Sequence, residues 1–340
     1  MKGNHRFIIT LIVLGFTKFS FGQFEQIDEQ ARVIKIKKQT IETLAGTIKQ
    51  LSSDPVDQVR ALYVFIATNI AYDTNAFFTG SSSAIDPNDV LHAKKAVCQG
   101  YSNLFNAVCS ELNIRSHIVA GFTKGYGFNG KMDGKSNHAW IAVYLNGKWS
   151  LIDPTWGSGY LNQKGKFVAS FQPHYFMTDP TLLISKHLPE DPAFQLLACP
   201  IDVKSFMLDS VSIVNKVRNC KTAHYNYNDT INMDYSVSDS LGIMRQAKRT
   251  YDFSDFGAMG AAVKVLNLAW QKAAILNDQT IRLEEKAMLV KKVMYMYQLS
   301  LTYAKKSKAG EAKSVRNSIQ ENIDNLKKYS VALEKAMENK

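Results

Sequence analysis

His138-Ala-Trp-Ile-Ala-Val-Tyr-Leu145 and Lys148-Trp-Ser-Leu-Ile-Asp153 leave the backbone little choice, because Asn146-Gly147 stands between them. Two runs rich in β-branched and aromatic residues around Asn-Gly form the strongest short-range signal for a hairpin with a two-residue type I′ turn. That turn pairs Leu145 with Lys148, which sets Trp140 opposite Asp153 and His138 opposite Thr155. Strand side chains alternate, so His138, Trp140, Asp153 and Thr155 are expected on one side. His138 and Asp153 become diagonal neighbours at about 7–8 Å between backbone positions, close enough for a carboxylate to reach an imidazole N–H.

Helical spacing dominates the residues ahead of the hairpin. Residues 24–51 show a loose apolar period through Ile27, Ile34, Ile41, Leu44, Ile48 and Leu51. Asp54-Pro55 reads as N-cap and first helical position of a helix whose face runs from Val59 to Ile70. Gly80–Ser83 and Asp86-Pro87 read as loop. A third helix is expected to begin close to Cys98 and to carry Leu104, Phe105, Val108 and Leu112. A short strand, Ser116–Phe122, precedes a long, mobile, glycine-punctuated loop. Residues 154–200 read as irregular structure completing the same domain, and 201–240 show no clear period. From 241 onward Gly and Pro nearly vanish and apolar positions such as Ala262, Val265, Leu266 and Ala269 recur at helical spacing.

A cysteine opening a helix is chemically suggestive. Unpaired N–H groups and the positive end of the helix dipole favour a thiolate there. Gly100 permits close backbone approach, and the Cys98 N–H could help bind an oxyanion. Cys98, His138 and Asp153 together have the composition of a nucleophile–base–acid array.

Charge narrows the partners. The 340 residues carry a formal net charge of +11. Residues 241–340 hold 18 basic and 10 acidic side chains, and residues 23–240 carry 20 of each sign. A balanced core argues against nucleic-acid binding, whereas the basic C-terminal helices could meet an acidic partner or an anionic surface. Lys2 and Arg6 precede the apolar run Phe7–Phe16, with small residues at Ser20 and Gly22, so 1–22 are expected to be an export signal and the mature protein periplasmic or secreted. Of four cysteines, Cys98 and Cys109 on one helix would stand about 16 Å apart, beyond disulfide reach. Cys199 and Cys220 remain as the easy bridge.

Ala96-Val-Cys98-Gln-Gly100-Tyr101-Ser-Asn-Leu-Phe, Asn137-His138-Ala-Trp140 and Trp149-Ser-Leu-Ile-Asp153-Pro154-Thr155-Trp156-Gly157 resemble the three core blocks of the transglutaminase-like superfamily, in its bacterial and kyphoscoliosis-peptidase-like branch. Tyr63 to Asp73 resembles the helix before that core, and His174-Tyr-Phe-Met with His187-Leu-Pro-Glu-Asp-Pro resembles the branch's tail. The resemblance covers roughly 55–200. It implies an α+β, papain-like fold of helices packed on an antiparallel sheet; the helical spacing after 241 adds an all-α C-terminal module, so domains are expected at 23–200 and 241–340, joined by the unassigned 201–240.

The resemblance also implies Cys98, His138 and Asp153 as a triad cutting or transferring peptide and protein amides through a thioester. Trp140 and Trp156 are expected either to line an acyl groove or to pack in the core, Gln99 to contact substrate beside the thiol, and Tyr72 either to complete the oxyanion hole or to be a core tyrosine. No acidic cluster has calcium-loop spacing, and no Cys-x-x-Cys or His-x-x-x-His pair suggests zinc, so neither metal nor cofactor is expected. The alternative keeps the fold without the chemistry, as an envelope binding or scaffold protein.

Overall fold

The computed structural model describes residues 24–37, 39–221 and 225–338. The expected export segment, 1–22, lies outside the described residues. Four antiparallel strands form the main sheet in the spatial order Lys148–Ile152, His138–Leu145, Ser116–Thr123, His187–Pro189. The hairpin has the expected register, with Leu145 opposite Lys148 and Ile141 opposite Ile152. Asn146 and Gly147 both take positive φ, 50° and 80°, as a type I′ turn requires.

The ladder stops at Ile152, which corrects one expectation. Pro154 has no N–H to contribute, and Asp153 instead caps the short helix Pro154–Ser158. Thr155 therefore lies in that helix and does not face His138 across the sheet.

One sheet face, through Ile141, Val143, Leu145 and Ile152, packs on Leu104, Phe105 and Val108 of the helix Cys98–Glu111. Behind it lie the helices Ile41–Leu51 and Pro55–Asn69. Asp54 caps the latter by accepting the Val56 N–H at 2.7 Å. The helix Glu25–Arg32 is fastened to this layer by Arg60, whose guanidinium forks onto Asp28 at 2.6 and 2.7 Å. Close contact seats the start of the thiol helix. A Cβ on Gly100 would stand 2.4 Å from the Ala84 carbonyl oxygen and 2.6 Å from the Ala96 Cβ.

Residues read as irregular or unassigned contain further elements. Asp86-Pro87 starts the helix Pro87–Ala93 where a loop was expected. The strand His187–Pro189 joins the sheet edge beside Ser116–Thr123, with Thr123 opposite His187. Residues 201–240 hold the helices Val203–Phe206, Ser210–Arg218 and Tyr227–Tyr235. A disulfide joins Cys199 to Cys220 across 21 residues.

The helices Asp239–Phe253, Ala258–Ala274, Leu283–Lys306 and Ala312–Glu338 pack around Ala262, Val265, Val293, Tyr297 and Ile323. They dock on the sheet domain through Arg249, which bonds Asp191 at 2.6 and 2.7 Å and Asp234 at 2.7 Å. Among the described residues, no helix is long and apolar enough to cross a membrane.

Candidate active site

The strand His138–Leu145, the turn after Ile152 and the start of the helix Cys98–Glu111 converge at one end of the sheet. Cys98 is the first residue of its helix, and Val97 ahead of it contributes no side-chain cap; its carbonyl accepts the Gly100 N–H at 2.9 Å, which leaves the Cys98 and Gln99 N–H groups for other acceptors. The thiol meets the His138 ring and the Ala139 backbone N–H. His138 in turn donates from Nε2 to Asp153 Oδ2 at 2.8 Å, which leaves Nδ1 for the sulfur. Asp153 is about 1% exposed and His138 about 8%.

The charges reinforce one another. Burial opposes charge on all three groups, and their mutual contacts outweigh it. Asp153 is held far below the ordinary carboxylate range against burial, chiefly by the charge and hydrogen bond of His138, with a bond from His187 added. His138 is pushed up to about 10 against burial by the Asp153 charge and bond and by Cys98. The Cys98 thiol lies below its ordinary value: burial raises it, and the His138 bond and charge with the Ala139 N–H pull it down further. Cys109, buried in the last turn of the same helix, is pushed up to about 12 by burial, only partly offset by a hydrogen bond with Ser116.

Asp153 Oδ1 accepts the N–H groups of Thr155 and Trp156, each at 2.9 Å, so the cap that ends the ladder also fixes the carboxylate. A cavity of about 1000 Å³ opens beside His138, walled also by Tyr72, Tyr126, Trp156, Phe167 and Tyr175, while Cys98 and Asp153 lie behind that wall. The loop 124–137 forms much of its other side. Tyr72 enters it from a two-residue parallel ladder in which it stands opposite Ala96. Burial, followed by the nearby Cys98 charge, keeps its phenol protonated well above the ordinary range.

Residues 42–154 match the family model described as the transglutaminase-like superfamily. The chain carries a transglutaminase-like domain. The mouse kyphoscoliosis peptidase (Mus musculus) is 34% identical over 186 residues, 54% of this chain and 28% of the relative. The Lim and transglutaminase domain protein ltd-1 of Caenorhabditis elegans is 30% identical over 202 residues, 54% of this chain and 27% of the relative. The chain thus spans little more than a quarter of the length of these relatives. A solved structure described as a TGase aligns with 42% of this chain and 35% of its own, at 21% identity and a TM-score of 0.28. The transglutaminase-like domain is α+β and papain-like, a helix headed by a thiol packed on an antiparallel sheet, with helices following it.

Within this domain the residues expected to contact substrate separate. Trp156 is half-buried on the cavity wall. Gln99 is exposed beside the thiol, its amide donating to Asn103 Oδ1 at 2.7 Å, and lies outside the residues that wall the cavity. Trp140 requires a correction. It is fully buried, its ring lying over Gly121, where a Cβ would approach within 2.5 Å. Its strand is central and covered on both faces, so sharing a side with His138 does not bring it to a groove.

Sequence reasoning missed His187. Its Nε2 lies 2.9 Å from Asp153 Oδ2, the oxygen that His138 also engages. The three residues form the one cluster of metal-ligating types among the described residues, with ligand atoms within 4.8 Å of one another. Those atoms already make hydrogen bonds of ordinary length, so the cluster is accounted for as a bonded charge array. A metal would have to strip both ring protons to enter.

Proposed function

We propose that this chain is an exported thiol enzyme of the transglutaminase-like type, acting on peptide or protein amides through Cys98, His138 and Asp153. One observation carries the reading: the Cys98 thiol meets a His138 ring whose far nitrogen is bonded to a buried carboxylate. The Cys98 thiolate attacks the amide carbonyl carbon, and a C–S bond forms as the carbonyl π electrons move to oxygen. In this reading the Cys98 N–H and the Tyr72 hydroxyl, which lines the cavity, receive that oxyanion. Collapse breaks the C–N bond, and His138 passes its Nδ1 proton to the departing amine. The thioester is then resolved by water or by a second amine, whose proton returns to His138.

Hydrolysis agrees with the name of the mouse relative, a peptidase. Export is supported by the basic-then-apolar pattern of residues 1–22 and by the Cys199–Cys220 disulfide, which suits an oxidising compartment. The basic C-terminal helices would offer an acidic partner or anionic surface a contact that weakens with salt; binding to anionic vesicles that is unchanged at high ionic strength would dismiss it.

The test is incubation of the mature protein with a peptide library and an amine donor, read by mass spectrometry. Cleaved or amine-linked peptides that vanish with Cys98→Ala are expected. A Cys98→Ala chain that is folded and as active as its parent, or a parent that turns over nothing while retaining its ligands, would replace the enzyme with a scaffold.

A further inference from the structure

Asp153 accepts four N–H groups on two oxygens, which is the full capacity of a carboxylate. Oδ1 takes Thr155 and Trp156, and Oδ2 takes His138 and His187. Three of those donors belong to what an acid next to a catalytic imidazole requires: a helix cap to seat it, and the ring it serves. The fourth comes from another edge of the sheet, thirty-four residues along the chain.

We infer that His187 is a positioning residue for the thiol centre, acting through Asp153 by locking Oδ2 toward His138. The inference rests on the catalytic reading above. With only Oδ1 capped, the carboxylate could turn about that cap and carry Oδ2 away whenever the His138 bond loosens. The His187 N–H blocks that rotation. The His187 ring is itself held, being fully buried with Trp156 at 4.4 Å and Trp140 at 5.2 Å between ring centroids, both edge-on.

His187 orients without adding charge. Burial, with the His138 and Lys186 charges, outweighs the pull of Asp153 and keeps its ring below the ordinary histidine range, hence neutral. A neutral ring that donates from Nε2 has a bare Nδ1, and that atom is buried without a partner. Leaving a buried acceptor unsatisfied is destabilising. A residue needed only for packing would not carry that cost, since a phenyl ring fills the same space. A charged His187 would compete with His138 for the same oxygen; a neutral one supplies a dipole and leaves Asp153 to His138.

The experiment compares His187→Phe, which keeps a ring between the two tryptophans, His187→Leu, and His187→Gln, whose amide can still donate. Each is checked for cooperative unfolding, then for the pH profile of Cys98 alkylation by iodoacetamide and for the downfield proton resonance of His138 Nε2–H. Expected are a wild-type profile and resonance in H187Q. In H187F and H187L the rate at about pH 6.5 falls about tenfold relative to the alkaline plateau, and the resonance broadens or moves upfield. A folded H187F with the parent profile and resonance overturns the inference, as does a folded H187Q that loses them. Unfolding of both donor-less variants assigns His187 to stability and overturns it as well. A parent whose Cys98 is no more reactive than Cys109 defeats the catalytic reading instead; the positioning role is then judged by the resonance alone.

Discussion

Tyr72 stands opposite Ala96 in a parallel ladder of two residues, two positions ahead of Cys98. The ladder is closed by Asp73 N–H donating to the Ala96 carbonyl at 2.9 Å. A backbone tie this short fixes the phenol against the first turn of the thiol helix, and burial keeps it protonated. In the proposed mechanism such a donor would serve a developing oxyanion and give little to the ground state. Tyr72→Phe should therefore lower kcat about a hundredfold or more with little change in KM, while thermal unfolding stays near that of the parent. An equal loss carried entirely by KM would make Tyr72 a substrate contact.

Asp153 is buried in a bonded charge array, and the proposed mechanism gives it a catalytic part besides its part in folding; pH separates the two. Its pKa is depressed in the folded chain, so its contribution to stability is present above the unfolded carboxylate range and is lost as pH falls through the folded value. Asp153→Asn leaves two buried imidazoles without an anionic partner. Breaking such a pair costs about 3–5 kcal/mol. The variant should melt well below the parent at neutral pH, and the gap should narrow in acid. Alkylation of Cys98 near neutrality should fall about tenfold or more.

How much of this was readable beforehand follows the range of the interactions. The His138–Asp153 pairing was legible because a two-residue turn sets register locally, and the helix start at Cys98 because apolar spacing behind it is periodic. Asp54-Pro55 announced its helix, and the same dipeptide at Asp86, Asp153, Asp179 and Asp191 does so again. That repeated cap was the available signal for the turn that swings Thr155 out of the ladder. His187 had none. A strand of three residues shows no alternation, and its partner, Thr123, lies far back in the chain. The Arg249 bonds to Asp191 and Asp234 are likewise tertiary, and no spacing encodes them.

Trp140 and Trp156 lie close to His138, with ring centroids 5.9 and 5.8 Å away, yet they should fail in different assays. Trp140→Ala empties a fully buried site and should cost about 3–5 kcal/mol in chemical denaturation. Trp156 stands on the cavity wall, so Trp156→Ala should raise KM for peptide substrates by about tenfold or less, with a smaller stability loss. Equal stability losses with unchanged KM would remove Trp156 from the groove.

Activity should also have an alkaline limit set by His138. Its folded pKa is raised to about 10, so the imidazolium that protonates the leaving amine is present below that value and is lost as pH climbs through it. The thiol limb lies on the other side, where Cys98 loses its proton below the ordinary thiol range. Turnover should therefore rise with pH through an acid limb that lies below the ordinary thiol range and fall near pH 10. Iodoacetamide behaves differently because it needs no proton from His138, so Cys98 labelling should stay high where turnover falls. Cys109, buried and pushed up to about 12, should remain unlabelled in the folded chain throughout.

Glu190 gives the docking of the C-terminal helices its own pH signature. Its carboxylate is buried, hydrogen-bonded by Ser136 of the cavity loop, and wedged against Gly260, where a Cβ would overlap it. Burial raises its pKa, partly offset by Lys264 and Ser136. A carboxyl raised in the folded state gives its stability below the unfolded value and loses it as pH rises through the folded one. Glu190→Gln keeps an acceptor for Ser136 and has no charge to bury. The variant should match its parent in acid and melt higher at neutral pH, with the difference growing across that interval. A variant that instead melts lower at neutral pH would mean that the Glu190 charge, paired with Lys264, holds the helices to the loop.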